Sequence, residues 1–124
     1  MKQVLLVFIG GGLGSAARYG LSGVVHRTMG SQFPYGTMTV NVLGCFLIGF
    51  LLSLSTDRSV ISPDLRLFLA LGLLGGFTTF SSFSYETIQL FRDGQNFNAL
   101  VNVFSTTLIC LSGTWIGSVV GKQL

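Results

Sequence analysis

The chain has 124 residues, of which 9% are charged and 49% hydrophobic, with a formal net charge of +3. A soluble domain carries about 25% charged residues, so this composition cannot coat a water-facing surface. The basic residues stand singly and mostly at segment ends, which excludes a nucleic-acid partner and fits charges at membrane borders.

A membrane-spanning helix needs about 20 predominantly apolar residues. The first such segment covers about residues 3–25. Lys2 before an apolar run looks like the start of a secretory leader. Ala16-Ala17-Arg18 makes a poor cleavage site, however, because the apolar pattern resumes after the arginine, so the segment is expected to be a retained helix. Gly12 to Ala17 fits the dinucleotide pattern GxGxxA. The first acidic residue is Asp57, far beyond the expected spacing of about 20 residues, and the pattern is read as membrane glycine. Arg18 sits inside the span, where an arginine costs at least about 2.5 kcal/mol unless it is paired or reaches water. It can anchor structure or draw anions into a vestibule, and both uses stay open.

Residues 26–35 are turn-like. His26 has no second ligand near it in sequence, so a zinc site is not expected. The second segment covers about residues 37–54 and carries Asn41, costly in a membrane unless bonded, whose NH2 can donate to an anion. A loop over residues 55–64 holds Asp57, Arg58 and Pro63. The third segment covers about residues 65–91, and Arg92-Asp93-Gly94-Gln95-Asn96 is a turn. The fourth covers about residues 97–120. It carries Thr106, Cys110 and Thr114 at four-residue spacing. Cys45 and Cys110 lie in mid-segment and are expected to be small buried residues rather than a disulfide or metal pair.

Small residues recur four apart at Gly10 and Gly14, at Gly72 and Gly76, and at Gly113, Gly117 and Gly121. This spacing lets helix backbones approach closely in lipid. Four helices make a thin bundle, so some of these faces are expected to pack a second subunit. With the N-terminus taken as cytoplasmic, one side holds Lys2, Arg58, Arg66 and Lys122, and the other Arg27 and Arg92. So weak a bias is compatible with insertion in both orientations, and equally with a single one.

The third segment carries the chemistry. Gly75-Gly76 can break a helix and free its carbonyls, and irregular backbone at that depth survives only where protein, water or an ion satisfies it. Phe80 and Phe83 share one helix face. Two ring edges, each positive, could contact a small anion without trapping it as a full charge would. Ser81, Ser82 and Thr79 add hydroxyls, and Thr114 continues the polar row of the fourth segment. Glu86 is the one carboxylate within a spanning segment and is placed near a pore mouth.

The run Gly75-Gly76-Phe77-Thr78-Thr79-Phe80-Ser81-Ser82-Phe83-Ser84 closely resembles the third-helix signature of the CrcB/Fluc fluoride channel family. Gly14 to Arg18 is similar to its first-helix element, and Tyr35-Gly36-Thr37 with Val40-Asn41 to its second-helix element. The resemblance covers the whole chain. It implies an all-α polytopic membrane protein, a single four-helix transmembrane domain over residues 1–124. The third helix would be broken and the subunits of dual topology, paired as an antiparallel homodimer. Two pores would export fluoride passively across the bacterial inner membrane. Phe80 and Phe83 would line the path, and Asn41 would donate to the ion. Thr79, Ser81 and Ser82 would supply hydroxyls, and Arg18 would sit near the vestibule. Gly75 and Thr78 would give carbonyls to a structural Na+ on the two-fold axis, with no organic cofactor. Cys110 departs from the small hydroxyl residue expected there. The rivals are a proton-coupled four-helix exporter, for which Glu86 is peripheral, and an accessory subunit without transport of its own. An enzyme is disfavoured, since no nucleophile–base pair or ligand cluster is visible.

Overall fold

The computed structural model describes residues 1–57 and 60–124. Arg58, counted in the charge balance above, lies outside the described residues. Every element among the described residues is helical. Helix α1 is Lys2–Met29, α2 is Tyr35–Asp57, α4 is Phe80–Arg92 and α5 is Asn96–Gln123. Helix α3 covers residues 63–77 in three consecutive pieces: α-helical Pro63–Arg66, π-helical Leu67–Leu74 and α-helical Gly75–Phe77.

Four stretches are long and apolar enough to cross a membrane: Lys2–Met29, Tyr35–Ser55, Pro63–Arg92 and Asn96–Gln123. The third joins α3 and α4 into one span. The ends follow local chemistry. Ser62 caps α3 by accepting from the Leu65 N–H at 3.3 Å, with Pro63 and Asp64 in the first turn. Gly30 closes α1 at φ +88°, and Gly94 turns the chain after α4 at φ +77°, both left-handed positions that favour glycine.

Glycine sets the packing. A Cβ on Gly10 would lie 2.6 Å from the Phe68 carbonyl, and one on Gly14 would lie 2.0 Å from that of Leu73. Gly76 answers from α3, where a Cβ would meet the Gly11 carbonyl at 2.4 Å. Helices α1 and α3 therefore run side by side in the same direction at near backbone contact. On the other side, a Cβ on Gly117 would lie 2.1 Å from the Phe46 carbonyl, and one on Gly121 2.8 Å from that of Phe50. These contacts bind α2 to α5, also in parallel. These glycine faces are thus used within the chain. Their partners are mostly backbone atoms of the facing helix, an approach that a longer side chain would block.

The fully enclosed apolar interior is small, with Val40, Leu74, Phe77 and Ala99 among its members. Large apolar side chains such as Phe8, Leu71, Phe104 and Trp115 point outward, as suits a protein whose solvent is lipid.

Candidate ion site at the break in the third span

The third span breaks at Thr78 and Thr79, not at the paired glycines. Gly75 and Gly76 are helical, while Thr78 (φ −87°, ψ 157°) and Thr79 (φ −151°, ψ 115°) are extended. Gly76 is there for packing, since it presses on α1 and helical backbone costs it no strain. The break itself is held by Asn41 from α2. The Asn41 amide N–H donates to the Thr79 carbonyl at 2.9 Å, and its carbonyl oxygen accepts from the Thr79 N–H at 2.7 Å. Both residues are buried. A side-chain amide here stands in for a strand neighbour and satisfies backbone that no helix can satisfy.

Asn41 thus spends one of its two amide N–H donors on the backbone of the break. It also has a consequence upstream. A continuing helix would send the Thr79 N–H to the Gly75 carbonyl. Asn41 takes that N–H instead, which releases the Gly75 oxygen. Gly75 faces outward, its nearest neighbour for an added Cβ being the Ala70 carbonyl at 3.8 Å.

Below the break, Thr79 caps α4. Its hydroxyl accepts from the Ser82 N–H at 3.1 Å and lies 3.1 Å from the Ser82 and 3.2 Å from the Ser81 hydroxyl. Three hydroxyls therefore cluster at a helix N-terminus, the positive end of its dipole. Phe80 and Phe83 stand beside them with ring centroids 5.6 Å apart and planes tilted by 47°. Phe80 is 78% exposed, on an open face of the chain, whereas Phe83 is half-buried. The structure thus brings together Asn41, Thr79, Phe80, Ser81, Ser82 and Phe83.

Arg18 anchors. Its Nε donates to the Gly76 carbonyl at 3.1 Å, and the Ser15 hydroxyl approaches the same oxygen at 3.4 Å. A cation there also opposes the negative end of the α3 dipole. Of the two uses left open by the sequence, this geometry is the anchoring one.

Glu86 lies toward the end of α4. Its Oε1 accepts from the Thr37 hydroxyl at 2.9 Å, and Oε2 is buried without a partner. The carboxylate borders two open cavities, of about 410 and 350 Å³, that also share His26 and Pro34.

Thr114 is not joined to the cluster by a hydrogen bond; its hydroxyl donates to its own helix, at the Cys110 carbonyl, over 3.2 Å. Thr106 belongs to a different network, which sequence reasoning missed. Its hydroxyl donates to the Asn102 carbonyl oxygen at 3.1 Å, and the Asn102 amide donates to the Thr87 hydroxyl at 2.8 Å. Thr87 in turn donates to the Phe83 carbonyl at 2.7 Å. Asn102 precedes Thr106 by one helical turn, so the row of polar residues at four-residue spacing could have been followed back to it. No comparable signal marks Thr87.

Fold and site together define a multi-pass helical membrane protein whose third span is opened at mid-depth and lined with hydroxyls and aromatic rings, with no catalytic constellation. The chain belongs to the family described as CrcB-like protein, Camphor Resistance (CrcB), which it matches over residues 5–118. It is 46% identical over 124 residues, the whole of both chains, to a protein of Geobacter sulfurreducens named Fluoride-specific ion channel FluC. Proteins of the same name from Geotalea daltonii, 46% identical over the whole of both chains, and Dehalococcoides mccartyi, 43% identical over all of this chain and 95% of the relative, are similar to it as well. These relatives are named as channels, and the protein is not an enzyme.

Proposed function

We propose that the protein is a fluoride-selective channel that exports fluoride passively across a bacterial inner membrane. The observation that carries the reading is the break at Thr78–Thr79, where hydroxyls, a helix N-terminus and the Phe80–Phe83 pair meet, in a chain with full-length relatives named for that activity. Oriented N–H groups and hydroxyls favour an anion. Ring edges can replace part of its water without a fixed charge that would hold it. Arg18 contributes a positive field from its place on Gly76, and Glu86 stands at the mouth.

In this reading two copies act as an antiparallel homodimer with two pores, each copy being one four-helix domain. The outward faces of Gly75 and Phe80 make up part of the surface between them. The residues present suit a structural Na+ at that surface. Gly75 offers a carbonyl relieved of its helical donor, and the extended Thr78 offers another beside it. Backbone carbonyls are ligands that a hard monovalent cation accepts, and a bound cation there would supply charge cross-linking between subunits.

The test is efflux from liposomes holding the purified protein, with fluoride and chloride read by separate electrodes and no proton gradient. Fast fluoride efflux with chloride retained is the expected result. Phe80→Ile and Phe83→Ile keep bulk and remove the ring edge, and each is expected to lower fluoride flux at least about tenfold, the effect of some 1.4 kcal/mol. Unchanged flux in both variants would remove the rings from the path. The partnerless Glu86 oxygen favours one second reading, a proton-coupled exporter. Fluoride movement only under an imposed proton gradient would select it.

A further inference from the structure

The two cysteines, 65 positions apart in the chain, are brought face to face. Helices α2 and α5 run in parallel, and a Cβ on Gly49 would lie 2.1 Å from the Thr114 carbonyl. One helical turn earlier on each helix, in the same register, stand Cys45 and Cys110. Their side chains are near enough to interact electrostatically. Both are free and only half-buried.

We propose that Cys45 and Cys110 form a two-thiol site for a soft, thiophilic d10 cation, clamped between α2 and α5 within the membrane. Thiolate sulfur selects soft ions of this kind. The surroundings narrow the choice further. Among the described residues no three His, Cys, Asp or Glu side chains gather, so a four-coordinate zinc site has no ligands to complete it. Two sulfurs alone suit an ion that accepts linear, two-coordinate binding. On binding, each S–H bond breaks as an S–metal bond forms. Two protons leave, and neither sulfur nor metal changes oxidation state. The glycine contacts at Gly49 and Gly117 already hold the helices at backbone distance, so the sulfurs are pre-positioned. The site is coupled to the break as well, because Asn41 lies one turn before Cys45 on α2.

The inference does not rest on the channel reading. Its test uses mercuric chloride as the probe on the whole purified protein in detergent micelles. Bound mercury is counted per chain by intact-mass measurement, free thiols by a thiol-reactive reagent, and released protons by a pH indicator. One mercury per chain should block both thiols with two protons released. After a wash with a monothiol competitor, Cys45→Ser and Cys110→Ser should each retain the ion at least about tenfold less than wild type, because the second bond is then no longer intramolecular. Two mercury ions per chain, loss from wild type as ready as from the variants, or mercury-linked pairs of chains in place of the internal bridge would each overturn the proposal. The wild-type stoichiometry decides the matter even where a variant fails to fold.

Discussion

Replacing Asn41 by alanine removes both bonds that hold Thr79 in its extended conformation. The groups left behind are a backbone N–H and a backbone C=O, buried at membrane depth and unable to rejoin a helix. An orphaned buried group costs about 1–3 kcal/mol, which puts the pair at about 2–6 kcal/mol. Side-chain hydrogen bonds in membrane proteins average nearer 0.6 kcal/mol, since the unfolded chain in lipid also finds partners. A net loss of about 2–4 kcal/mol is the expected value between those limits. Asn41→Leu keeps a similar volume with neither a donor nor an acceptor for Thr79. It should therefore lose most of what alanine loses. The assay is reversible unfolding of the purified protein in mixed micelles of rising denaturing-detergent fraction. An Asn41→Ala variant within about 0.5 kcal/mol of wild type, the range of an ordinary surface change, would refute the clamp.

Two further outcomes test the packing and the buried network. Gly14→Ala should destabilise by about 3 kcal/mol, at the upper end of overpacking costs, because its new methyl meets the Leu73 carbonyl. Gly12→Ala, with nothing within 4 Å, should change stability by less than about 1 kcal/mol; the same unfolding assay compares them, and equal effects would separate the helices from the glycine argument. A double-mutant cycle of Thr87→Val and Asn102→Leu should show a coupling of about 0.6–1.7 kcal/mol, whereas additive losses would mean that the Asn102–Thr87 bond contributes nothing of its own.

The four spans were legible because hydropathy over about 20 residues is a strong signal, and the turns at Gly30 and Gly94 carried their own residue types. The composition of the site was legible too, down to Phe80, Phe83 and the hydroxyls around Thr79. Its exact geometry was not. A glycine pair breaks a helix or packs one, and only the position of α1 decides that Gly76 packs. The break falls two residues later because Asn41, on another helix, supplies the bonds that make it tolerable. The π-helical stretch Leu67–Leu74 reads as a plain apolar run, with no change of period to announce it. The meeting of Cys45 with Cys110, and of Asn102 with Thr87, depends on inter-helix register, which residue spacing within one helix does not encode.

Helix α4 has 13 residues, about 20 Å of rise, well short of a hydrocarbon core about 30 Å thick. Neither piece of the third span crosses alone, and lipid tolerates no bare extended backbone between them. The stretch Pro63–Arg92 therefore spans the bilayer only as two pieces together, with the backbone between them sheltered by protein. That shelter comes from α2, whose Asn41 receives both backbone groups of Thr79. The opening in the third span is thus a property of two helices together and not of the third segment alone.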